Sequence, residues 1–172
     1  MAVLAIAGFE FATKLKRIST YVYLVVFTAI AALWVAAAGG AFASDIVVFG
    51  SDKVFVNSPM VIAHSVTILG LIGMVTVAAF MGRAVQQDFE YEAHHFFFTS
   101  PITKAQYLLG RYLGAVAILM LIFMGIAVGI FLGAYWPGID ATRVGPWRLS
   151  ALAWPFLVML LPNVLFLGAC FF

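Results

Sequence analysis

Four long runs without a formal charge decide most of what this chain can become. Ile18 to Ser44, Val54 to Gly82, Tyr112 to Ile139 and Leu149 to Phe172 contain no Asp, Glu, Lys or Arg. Each exceeds the roughly 20 apolar residues that carry a helix across the hydrocarbon of a bilayer. There, every backbone amide must be satisfied inside its own segment or in a closed barrel. Barrel strands read as alternating segments of about ten residues, and these runs are continuous. The predicted fold class is therefore all-α, a polytopic membrane helical bundle. Composition agrees, with 65% hydrophobic and 9% charged residues against about 25% charged in soluble domains. A 172-residue globule has too little interior to hide that much apolar surface from water.

Spans are expected over about 20–42, 60–81, 107–135 and 150–172, in a single transmembrane domain covering 1–172. Residues 2–17 place Phe9 and Phe11 around Glu10 and gather Lys14, Lys16 and Arg17 at the far end. This predicts an interfacial helix, with a plain extension of the first span as the alternative. The Lys14–Arg17 cluster, an apolar run and Ala41-Phe42-Ala43 imitate a signal peptide, but the run outlasts the usual 7–15-residue core of one. Between the first two spans, β-favouring residues flank Gly50-Ser51-Asp52, so a small hairpin is expected. Trp136-Pro137-Gly138 is a helix stop, and Pro155 and Pro162 are expected to kink the last span. One membrane face collects Lys14, Lys16, Arg17, Arg83, Lys104 and Arg111, the other Lys53, Arg143 and Arg148. The excess of positive charge predicts a cytoplasmic N-terminus. The last run ends at Phe172 with no charged anchor, which predicts an N-terminal part of a longer protein.

Soluble-enzyme chemistry finds no support in the residues. No glycine-rich phosphate loop ends in Lys-Ser/Thr, and no basic patch interleaved with aromatics suggests nucleic acid. Cys170 stands alone, so an internal disulfide is impossible. His94 and His95 are neighbours that point about 100° apart on a helix, and no Cys accompanies them at zinc-ligand spacing. No catalytic, cofactor or metal residues are therefore expected. The spans hold no formal charge to mark an ion path, only His64, Asn163 and scattered hydroxyls. Gly110 and Gly114, and then Gly125, Gly129 and Gly133, have the small-xxx-small spacing of a helix–helix seam, within the chain or between subunits.

The wettest segment runs from Arg83 to Gln106. Asp88-Phe89-Glu90 is acidic, His94 to Phe98 is aromatic, and Thr99-Ser100-Pro101 breaks the chain before a helix restarts. Ser100 suits an N-cap, with Pro101 in the first helical position. An exposed aromatic cluster either sinks into the membrane interface or docks on a partner.

Several blocks together resemble a known family. They are Gly8-Phe9-Glu10-Phe11, Asn57-Ser58-Pro59, Asp88-Phe89-Glu90, Phe97-Phe98-Thr99-Ser100-Pro101-Ile102-Thr103-Lys104, Tyr107-Leu108-Leu109-Gly110-Arg111-Tyr112-Leu113-Gly114 and Leu161-Pro162-Asn163. The chain resembles the membrane subunit of ATP-binding-cassette (ABC) exporters of the type-two permease family, near the branch sometimes fused to a zinc aminopeptidase-like domain. The resemblance implies a coupling helix between spans two and three that sits on a separate ATPase subunit. It places Asp88, Glu90, Phe97, Phe98, Pro101, Ile102, Lys104 and Arg111 at that contact. It further implies a second permease copy or homologue as partner, a bacterial inner-membrane location, and ATP with Mg held by the ATPase. Two departures stand out: Tyr91 and Glu92 replace a frequent glycine, and four spans stand where six are usual. No His-Glu-x-x-His motif occurs, so peptidase activity is not expected of these residues. The competing reading is a non-transporting anchor that recruits a cytoplasmic partner.

Overall fold

The computed structural model describes residues 2–42, 55–90, 103–139 and 141–172. It is a helical bundle, with no strand among the described residues. Helix α1 covers Ala2–Leu15, α2 Ile18–Ala38, α3 Pro59–Glu90 and α4 Lys104–Ala134. After a single 3-10 turn at Ala141–Arg143, the last span is built from α5 (Leu149–Pro155), a π-helical turn (Phe156–Leu160) and α6 (Leu161–Phe171). Among the described residues, four stretches are long and apolar enough to cross a membrane: Ile18–Ala38, Pro59–Ala84, Lys104–Ala134 and Leu149–Phe171. The chain is a membrane-embedded all-α protein.

The N-terminal residues form a helix separate from the first span. The chain turns at Lys16-Arg17, where the Arg17 amide donates to Lys14 O and the Thr20 amide to Arg17 O. The buried Thr20 hydroxyl also donates to Lys14 O at 2.7 Å, which fixes the corner. Helix α1 is inside-out by the standards of water. Its buried residues are Glu10 and Lys14, whereas Leu4 and Phe9 are about three-quarters exposed. An apolar outer face with a charged inner one suits a helix whose surroundings are lipid tails and headgroups rather than bulk water.

Helix α4 is the hub, packed against α1, α2, α3 and α6. Phe123, Ile118, Leu119, Ile122 and Ile126 of α4 are fully buried, and the Phe123 ring meets Phe27 of α2 edge-on at 5.2 Å. The opposite pattern appears outside, where Val25, Leu33, Leu71, Val75, Val128 and Phe166 are exposed around the bundle. On a soluble protein so much apolar surface marks an interface; around apolar spans the natural covering is lipid.

Several boundaries differ from the sequence expectation, each for a local reason. The first span ends at Ala38 instead of 42, because Gly39 and Gly40 follow and Gly40 has φ of 83°, a conformation open to glycine at little strain. The second helix continues past 81 to Glu90, since Arg83 and Gln86 stop the apolar run without stopping a helix. Helix α4 begins at Lys104. Its N-cap is Thr103, extended at φ −74° and ψ 149°, not a helical residue continuing from Pro101. Ser100 and Pro101 themselves, and the hairpin expected around Gly50-Ser51-Asp52, lie outside the described residues. The Trp136-Pro137-Gly138 stop follows the end of α4 at Ala134, with Gly138 at φ 106°.

The prolines of the last span produce a π turn. The Leu161 amide reaches back to Phe156 O, five residues instead of four, directly after Pro155 and before Pro162. Proline lacks the amide that an α-turn needs and crowds the carbonyl four residues earlier. A widened turn is a usual way to absorb both defects.

Candidate functional site

Two regions of α4 organise the molecule. The first is the glycine stripe. Gly125, Gly129 and Gly133 face α2, and Gly110 and Gly114 face α1. A Cβ on Gly125 would stand 2.7 Å from Leu24 O, and one on Gly133 2.6 Å from Ala32 O. One on Gly129 would meet Thr28 O and the Ala31 methyl. A Cβ at Gly114 would lie 2.7 Å from that of Glu10, and one at Gly110 2.8 Å from that of Ile6. The seam is thus internal, and it lets α1 and α2 approach α4 backbone to backbone.

The second region is an ion-pair junction that the seam makes possible. Glu10 Oε1 lies 3.0 Å from Lys14 Nζ, one turn along α1, and Glu10 Oε2 lies 3.6 Å from Arg111 Nη2 on α4. All three side chains are about nine-tenths buried. Arg111 Nη1 donates to the Tyr107 hydroxyl at 2.8 Å, and its guanidinium lies 5.7 Å from the Tyr107 ring centroid. Burial lowers the Lys14 pKa from its ordinary 10.5, against the pull of Glu10; Arg111 and Arg17 add to the lowering. One carboxylate thus serves two buried cations. The sequence signal was the i, i+4 spacing of Glu10 and Lys14 in an otherwise apolar helix. The third partner, Arg111, is distant in sequence and only the fold supplies it.

Of the residues assigned to an ATPase contact, Arg111 therefore turns inward to join α1 to α4. Lys104 is exposed in the first turn of α4. The cap beside it is reciprocal: the Gln106 amide donates to Thr103 Oγ1, and the Thr103 amide to Gln106 Oε1. Such a box satisfies two amides that would otherwise be orphaned. Asp88 and Glu90 belong to the last turns of α3. Phe97, Phe98, Pro101 and Ile102 lie outside the described residues.

No protein-family model, curated protein or solved structure matches the chain.

At the opposite end of the bundle the structure shows a polar tie that sequence reasoning missed. Asn57 is buried, and its amide donates to Gly145 O at 2.7 Å while its carbonyl accepts from the Gly145 amide at 2.8 Å. The Val56 amide donates to Arg143 O at 2.9 Å, and Arg143 Nη1 donates to Gly39 O at 2.8 Å. The 141–148 loop so joins the start of α3 to the end of α2. Tyr135 and Trp147 close over it, with the indole N–H donating to the tyrosine hydroxyl at 3.0 Å. His64 and Asn163 are exposed on the outside of the bundle, as is Cys170. Among the described residues no group of three His, Cys, Asp or Glu could hold a metal.

Proposed function

We propose that this chain is the membrane subunit of an ABC exporter of the type-two permease family, moved by an ATPase subunit that docks on the segment between α3 and α4. The main support is the way that segment is mounted. Helix α3 runs on to Glu90, beyond the apolar stretch that ends at Ala84, and α4 starts from a doubly satisfied cap at Thr103. At about 1.5 Å per residue each helix is roughly 45–50 Å long, against about 30 Å of hydrocarbon. Residues 91–102, which hold Phe97, Phe98, Pro101 and Ile102, are thus flanked by two stiff levers. A push on them rotates α3 and α4 as bodies, and α4 carries α1, α2 and α6 with it. ATP and Mg belong to the ATPase, and a second permease copy or homologue completes the pathway. The charge excess on the α1 face supports a cytoplasmic N-terminus, and the family resemblance supports a bacterial inner membrane.

Co-purification from membranes holding the full native protein and its ATPase tests this. Replacing Phe97, Phe98 and Ile102 by Asp is expected to lower ATPase recovery at least ~10-fold, the equivalent of ~1.4 kcal/mol in docking, with chain abundance unchanged. Equal recovery overturns the docking surface. The tightly closed apolar core of the bundle favours a second reading, a non-transporting anchor. ATP-dependent flux in proteoliposomes separates the two.

A further inference from the structure

The last span carries a polar group that the bundle leaves unsatisfied. Asn163 is exposed on α6, and its carboxamide has no hydrogen-bond partner among the described residues. Its neighbours set its depth. It lines a small groove with Gly70 and Leu71 of α3, which stand midway along the Pro59–Ala84 span. The carboxamide therefore sits near the middle of the hydrocarbon, where neither water nor headgroups reach it. A threonine hydroxyl escapes this difficulty by bonding back along its own helix, as Thr67 does to Ala63 O at 2.8 Å. The larger amide has two N–H donors and an oxygen acceptor, and in lipid such a group is met from another helix. The groove itself holds about 40 Å³, room for roughly one water and too little for a solute.

We infer that the Asn163 face of the last span is where a second copy of this chain packs, the two Asn163 carboxamides hydrogen-bonding each other across a two-fold axis. Both copies cross the bilayer in the same orientation. The axis of a closed pair therefore runs along the membrane normal, the facing helices are parallel, and equal-numbered residues meet. An amide suits such a meeting because it is donor and acceptor at once and complements itself; a charge would repel its own copy. The rest of the face agrees. Phe166 and Cys170 follow Asn163 at three and seven residues, on one side of α6, and both are exposed. Across the groove Leu71 is exposed as well. Lipid tails suit these apolar groups but give Asn163 no partner. The glycine stripe offers no rival seam, since α1 and α2 already fill it. The pairing requires no ATPase and stands apart from the exporter reading.

The test uses the full native chain without ATPase or substrate. Energy transfer between donor- and acceptor-tagged copies in liposomes gives the association constant, and in native membranes a short bis-maleimide joins copies through Cys170. Association is expected, with a cross-linked dimer that Cys170→Ala abolishes. Asn163→Leu should lower the association constant about tenfold, from ~3-fold for each of two interhelical hydrogen bonds, and Asn163→Gln should restore part of it. Asn163 is exposed, and circular dichroism of each variant confirms that the helices persist. Monomers only in either assay, or equal association of the native chain and Asn163→Leu, overturns the proposal. Cys170 adducts only to other proteins overturn it too, and make a different membrane protein the occupant of this face.

Discussion

Glu10 is the residue on which the most charge depends. In Glu10→Gln, the buried Lys14 and Arg111 lose their shared counter-charge, and stranding a buried ion costs about 3–5 kcal/mol. Lys14→Met should cost much less. It leaves the Glu10–Arg111 contact intact, keeps an apolar stem, and removes an ammonium that burial already disfavours. Denaturation in mixed detergent micelles measures both variants, and equal losses would show that the pair is not coupled. The sign with pH follows. A lysine whose folded pKa lies below 10.5 carries its full penalty below that folded pKa and sheds it as pH rises from there toward 10.5. The native chain should gain stability relative to Lys14→Met over that alkaline window. Glycines divide just as sharply. Gly129→Ala pushes a methyl into the α2 backbone and should cost about 1–3 kcal/mol. Gly82→Ala meets nothing within 4 Å and should be neutral or stabilise by up to about 1 kcal/mol.

At the scale of elements, the connection from α4 to α5 is a structural strut. Its anchor is Asn57, which binds both backbone groups of Gly145. Asn57→Ala strands a buried N–H and a buried C=O, each worth about 1–3 kcal/mol. Asn57→Asp keeps the acceptor but sets an oxygen against Gly145 O, so it should not rescue. Hydrogen exchange is the suitable readout. Amides near Val56 and Gly145 should exchange faster while those of α4 keep their protection. Faster exchange throughout α4 instead would mean that the tie supports the whole bundle. The π turn is a contrasting case, in which an element bends because two prolines deny it an α-helical ladder.

On the whole-molecule scale, the chain has a polarity that the fold makes explicit. The α1–α4 junction and Lys104 lie at one end, and the Asn57–Gly145 tie at the other. In a Cys170→Ala background, Val144→Cys should react with a membrane-impermeant maleimide on intact cells. Gln106→Cys should react only after permeabilisation. The reverse labelling would invert the orientation drawn from the charge excess.

The sequence by itself determined that the chain is helical and lies in a membrane, because hydrocarbon leaves the backbone no alternative and the four uncharged runs are unambiguous. It also located the glycine stripe, since spacing is a local property. Only the tertiary structure decided what that stripe touches, that α1 turns its charges inward, and that Arg111 meets Glu10 about a hundred residues away. These are long-range pairings, set by which helix faces fit closely enough to exclude everything else. Helix ends were read to within a few residues at α2 and α4, where glycine conformation and cap geometry outweigh hydropathy, and missed by nine at the end of α3, where polar residues continue the helix. Lys14, Arg17 and Arg83 were counted as topology markers, and packing alone gathers them around one cavity at the α1–α2 corner.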